Sequence, residues 1–140
     1  MNILLVEDNP ADVQLTREAL REAEMQHDVI VVVNGERAID LLRKRDGFES
    51  SPTPDLVLLD LNLPGMSGLD VLREIKSDEL LMALPVIVVS NSAALEDVDA
   101  VYRCHGNSFL AKPGNFDEFI HMVRSICEFW LKRASLPNRL

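Results

Sequence analysis

An open α/β domain built on a parallel sheet is the fold class the sequence predicts, on two observations. Four short runs, Ile3 to Val6 (ILLV), Val29 to Val33 (VIVVV), Leu56 to Leu59 (LVLL) and Val86 to Val89 (VIVV), are continuously apolar and rich in β-branched residues. Strands covered by helices on both faces read this way. Stretches of helical period separate the runs, and strand alternating with helix marks an open sheet with right-handed crossovers.

Each element has its own warrant. The first helical stretch opens at Asn9 as cap with Pro10 in the first helical position, and stacks Leu15, Ala19 and Ala23 on one side. The second follows Asn34-Gly35 and carries Ala38, Leu41 and Leu42; the third starts near Gly68 with Val71, Leu72 and Ile75. A fourth covers roughly Leu95 to Arg103, and a fifth strand, Ser108 to Ala111 (SFLA), is assigned mainly from the rhythm of the other four. The last helix is plainest: Phe116, Phe119, Ile120, Val123, Ile126, Cys127 and Trp130 form one stripe of 3.6 period that a sheet must cover. Asp46 to Pro54 reads as a surface loop and Ala134 to Leu140 as a tail.

Composition narrows the functional classes. A chain of 140 residues, 47% hydrophobic and 26% charged, matches one globular domain and leaves no room for a second. Net charge -9 argues against nucleic acid and against anionic lipid, both of which require a basic footprint, so partners should be proteins, small ligands or cations. Cys104 and Cys127 form no CxxC pair and read as inert thiols, and His27, His105 and His121 have no metal-ligand spacing. No leader is visible and no apolar run approaches the ~20 residues of a membrane span. A soluble protein in a reducing cytoplasm is expected.

In an open parallel sheet the functional crevice lies at the carboxyl ends of the strands. The first run delivers Glu7-Asp8 there, the third Asp60, the fourth Ser90-Asn91 and the fifth Lys112-Pro113. Two carboxylates ~4 Å apart repel by ~4 kcal/mol at the effective dielectric of such sites, and one lysine cannot neutralise three of them. A hard divalent ion with oxygen ligands fits, and Mg²⁺ is the expected one. With Mg²⁺ and Lys112 in place, an acyl phosphate on Asp60 would be stabilised by metal, ammonium and the Ser90 hydroxyl. Leu63-Pro64-Gly65 turns the chain aside and leaves Asp60 open to a phosphoryl group.

The segments VEDN at 6 to 9, LLDLNLPGMSG at 58 to 68, PVIVVSNS at 85 to 92 and FLAKP at 109 to 113 together resemble the receiver domains of two-component response regulators. The resemblance spans about 125 residues. It implies a flavodoxin-like, doubly wound five-stranded parallel sheet in the order 2-1-3-4-5 with five helices, a receiver domain over 1–134 and a C-terminal tail over 135–140. By position, Asp60 matches the phosphoacceptor, Asp8 a direct Mg²⁺ ligand, Glu7 an acid holding the metal through water, and the Asn62 backbone carbonyl a further ligand. Lys112 matches the residue that pairs with phosphoryl oxygens, Ser90 the switch hydroxyl and Phe109 the switch aromatic, and the Lys112–Pro113 bond is expected to be cis. The family accepts its phosphoryl group from a sensor histidine kinase, with Mg²⁺-dependent self-phosphorylation and self-dephosphorylation. The loop before the third strand and the tail reading EFWLKRASLP resemble the stand-alone receivers that partner bacterial phytochromes.

Plainer readings stand beside these. Asp12 reads as first-turn helix charge, favourable to the dipole. Ser92 competes with Ser90 for the site, and Phe109 could be ordinary core. Asn34 and Tyr102 are expected to cap, pack or face water. Met122, Phe129, Leu131 and Leu136 widen and prolong the last helix's apolar stripe, as extra core or as a patch for homodimerisation or kinase docking through the fourth helix, fifth strand and last helix. Two other functions remain open: a receiver-like docking module that is never phosphorylated, and a small haloacid-dehalogenase-like phosphatase. The phosphatase would place an acid two residues after Asp60, where this chain has Asn62.

Overall fold

The computed structural model describes residues 1–22 and 27–137. Its sheet has five parallel strands, β1 (Asn2–Val6), β2 (Asp28–Val32), β3 (Leu56–Leu59), β4 (Val86–Ser90) and β5 (Ser108–Ala111), in the order β2-β1-β3-β4-β5. The helices α1 (Pro10–Glu22), α2 (Gly35–Leu42), α3 (Gly68–Ser77), α4 (Leu95–Arg103) and α5 (Phe116–Cys127) cross over between strands or follow the last one. This is the flavodoxin-like arrangement expected from the sequence, and a π-helical segment, Glu128–Arg133, prolongs α5.

Strand alternation sorts the apolar runs into two cores. Leu4, Val6, Val57, Leu59, Val86 and Val88 face α2, α3 and Val101 of α4. Ile3, Leu5, Leu56, Leu58 and Ile87 face α1 and α5. Each fully buried Leu, Ile or Val contributes about 1.5–3 kcal/mol through apolar area removed from water. Helix starts are fixed locally: the side-chain oxygens of Asn9, Asn34, Ser67 and Asn115 accept backbone N–H bonds from Ala11, Arg37, Asp70 and Glu118, each such cap contributing about 1 kcal/mol.

The departures from expectation occur mostly at the margins. β2 begins at Asp28 and, as an edge strand, is only half-buried over Val29 to Val31, while Val33 lies beyond it and is 55% exposed. Its apolar run reflects the core of one face and the flank of an edge. In α5 the stripe holds from Phe119 to Cys127, but Phe116, the first residue of the helix, is 51% exposed. Leu15 of α1 is half-buried, and Ala23 lies outside the described residues. Of the residues that widen and prolong the stripe, Met122 and Leu131 are buried and Leu136 packs on the α1–α5 core, whereas Phe129 is exposed. The Lys112–Pro113 bond is trans, against the expected cis form; trans remains the intrinsically favoured isomer before proline.

Candidate functional site

Alternation carried one step past the strand ends decides what meets above the sheet. After Leu5, Leu58 and Leu110, which share the α1–α5 face, the next residues of the same parity are Glu7, Asp60 and Lys112. These three side chains converge with Thr16 of α1 around a cavity of about 20 Å³, room for a water. Lys112 Nζ donates to Glu7 Oε1 at 2.6 Å and to Asp60 Oδ2 at 3.3 Å. The other Asp60 oxygen accepts from the Asn62 amide at 3.1 Å, and the Asp60 N–H donates to the Val6 carbonyl at 3.1 Å. Both the backbone and the carboxylate of Asp60 are therefore held.

Glu7, Asp8 and Asp60 each offer an oxygen, and these oxygens lie within 4.8 Å of one another. Glu7 and Asp60 are buried while Asp8 is exposed, so the group opens toward solvent on one side. All-oxygen, multiply negative donors are the set a hard divalent cation takes, and the residues present fit such an ion. The electrostatics show the same need. Burial, then the neighbouring Asp60 carboxyl, push the Glu7 carboxyl up to about 8 against the pull of Lys112, so the ionised form of Glu7 is costly here without a cation. Burial would lower the Lys112 ammonium, but Asp12, Glu7 and Asp60 outweigh it and raise it above an ordinary lysine.

Ser90 and Phe109 belong to the opposite face. Ser90 shares parity with Val86 and Val88 and is fully buried, its Oγ accepting from the Ser92 amide at 3.3 Å. Phe109 packs against the core formed with α2, α3 and α4. Its backbone N–H, on the outer edge of β5, donates to the Tyr102 hydroxyl at 3.2 Å. Ser92 is engaged at the start of α4, where its hydroxyl donates to Asp97 and accepts from the Ala94 amide. Asn62 is exposed.

A family model for the response regulator receiver domain matches residues 3–124. The chain belongs to the response regulator receiver domain family. It is 42% identical over 135 residues to the response regulator Rcp1 of Synechocystis sp., covering 96% of this chain and 92% of that one. The phosphorylated cyanobacterial phytochrome response regulator RcpA superposes with a TM-score of 0.95 at 42% identity, covering 98% of each chain. The Mn²⁺-bound form of Rcp1 gives 0.94 at 41% identity, covering 98% of this receiver and 99% of that chain. The protein is thus a signalling receiver of the two-component class, whose general function is a phosphorylation-dependent switch.

Three contributions to this receiver's site escape sequence reading. Asp12 accepts from Lys112 Nζ at 2.8 Å, a contact between residues 100 positions apart. Gly68 begins α3 so close to β3 that a Cβ there would strike the Asp60 carbonyl and lie 2.6 Å from Leu61 Cα. Glu36 of α2 accepts from the Met66 amide at 3.0 Å and so pins the loop after Asp60, beside Gly65 at φ +69. Gly65 was visible as part of a turn and Gly68 as a helix start, but their neighbours were not.

Proposed function

We propose that Asp60 accepts a phosphoryl group from the phosphohistidine of a sensor kinase. The observation that carries this reading is the buried ammonium of Lys112 bridging Glu7 and Asp60 within a carboxylate group that opens to solvent at Asp8. A carboxylate oxygen of Asp60 attacks phosphorus, the bond from phosphorus to the histidine nitrogen breaks, and an acyl phosphate forms; water later cleaves it and restores the carboxylate. Glu7, Asp8 and Asp60, with the Asn62 backbone carbonyl, would hold Mg²⁺, which when bound supplies neutralising charge for the incoming phosphoryl oxygens. Lys112 binds one of those oxygens. Ser90 is drawn to another, and Phe109 repacks on the same face of the sheet, which alters the surface of α4, β5 and α5. Charge-assisted bonds to Lys112 and Ser90 supply the few kcal/mol of differential contact that such a population shift requires.

The likeness to RcpA, described as a phytochrome response regulator, supports a bacterial phytochrome as the kinase partner. Exposed Leu95 and Tyr102 of α4 support homodimerisation through the α4–β5–α5 face. The cytoplasm is the proposed setting, where Cys104 and Cys127 stay free thiols.

Intact mass after incubation with acetyl phosphate tests the phosphoacceptor. Gain of one phosphoryl group is expected with Mg²⁺, and none with chelator or in Asp60→Asn. A folded wild-type protein that gains nothing would overturn the reading in favour of a docking module. Sedimentation of the same samples should show a heavier species in the phosphorylated protein; identical profiles that are monomeric in both states would exclude the dimer.

A further inference from the structure

Lys112 has three N–H donors, and three carboxylates hold them: Glu7 at 2.6 Å, Asp12 at 2.8 Å and Asp60 at 3.3 Å. The longest of these contacts goes to the residue that the phosphoacceptor reading places at the reaction centre. Asp12 stands apart from the other two acids. It is not one of the group able to share a cation, it sits in the first turn of α1, and its side chain is 19% exposed against 3% and 7% for Glu7 and Asp60. A first-turn acid serving only the helix dipole would have no need to reach across to β5. Asp12 does reach, because α1 packs on the face to which Glu7, Asp60 and Lys112 turn.

We propose that Asp12 is a positioning residue that competes with the phosphoryl group for Lys112, holding the ammonium toward α1 in the resting protein and releasing it when Asp60 is modified. The proposal rests on the phosphoacceptor reading. Modification of Asp60 exchanges its own 3.3 Å contact for one to a phosphoryl oxygen, and the ammonium can close on that oxygen only as far as its shorter bonds to Glu7 and Asp12 allow; of these two, Asp12 is the more solvent-accessible partner. Removing the Asp12 charge therefore frees one of the three N–H donors of Lys112 for the incoming anion.

The test is binding of beryllofluoride, a stable phosphoryl mimic, with Mg²⁺, to wild type, Asp12→Asn and Asp12→Glu, alongside the rate of phosphorylation by acetyl phosphate. Asp12→Asn should bind the mimic about 2- to 5-fold tighter and be phosphorylated faster, the range expected for loss of one partly exposed ion pair. Asp12→Glu should return toward wild type. A gain in affinity cannot come from damage to α1, and a contact effect persists in ~0.5 M salt whereas general relief of negative charge is screened away. Equal or weaker binding by Asp12→Asn, or a gain abolished by salt, would overturn the proposal and leave the phosphoacceptor standing. Failure of wild type and variants alike to bind the mimic or gain a phosphoryl group would remove the phosphoacceptor reading itself, and this proposal with it.

Discussion

Two lysines at opposite ends of the sheet show how the same side chain serves structure in one place and responsiveness in another. Lys76, in the last turn of α3, donates to the carbonyls of Met82 and Leu84 at 3.1 and 2.7 Å and to Asn107 Oδ1 at 3.1 Å. Asn107 Oδ1 also accepts from the Val86 amide, so one ammonium ties together α3, the start of β4 and the approach to β5. Every partner is neutral, and burial lowers the pKa of Lys76 below its ordinary value. Lys112 has three carboxylates for partners and its pKa is raised. The neutral joint is satisfied as it stands. The charged one retains an excess of negative charge that a cation or a protein conformational change must answer.

Removing each ammonium should separate the two ends most sharply. Lys112→Met leaves buried carboxylates without their cation and should cost about 3 kcal/mol in chelator, read by urea unfolding, with part recovered on adding Mg²⁺. A loss no larger than that of the Lys76 variant, or one indifferent to Mg²⁺, would break the comparison.

The pH dependence sharpens it next. Between the ordinary carboxylate value of 4.5 and about 8, folded Glu7 holds a proton that the unfolded chain releases. The folded state therefore binds more protons in that window, and stability in chelator should fall as pH rises through it. Thermal melts from pH 5 to 8.5 should show that fall, and Mg²⁺ should flatten it by favouring the ionised carboxylates; a flat profile without metal would show that Glu7 is already ionised. The smallest effect is expected at the other end: Lys76→Met leaves the Leu84 carbonyl and Asn107 short of a donor, and should cost about 1–2 kcal/mol irrespective of Mg²⁺.

Much of the site was legible because parallel strands put their last residues at one edge. Glu7, Asp60 and Lys112 each follow an apolar run or a strand of the same rhythm, and placing them together needed only the alternation of strand and helix. Asp12 was misread because its partner is 100 residues away and nothing in the first turn of a helix shows where its side chain will point. The isomer of Lys112–Pro113 was likewise misjudged, since the small intrinsic difference before proline leaves the choice to the surroundings. Between Ser90 and Ser92, strand parity and the start of α4 separate the two hydroxyls in a way that spacing alone left ambiguous. The exposed Phe116 and half-buried β2 show the limit of hydrophobic pattern, which marks apolar residues without saying which lie at an edge.

The sequence by itself determined the element order, the sheet's parallel sense and the acids at its carboxyl edge, because local periodicity and the chain's short crossovers leave few alternatives. The tertiary structure alone decided that α1 brings Asp12 onto Lys112, and that Gly68 and Glu36 hold the loop around Asp60. Those outcomes depend on how helices pack across the sheet, and contacts between distant residues carry no signature in the spacing of either partner.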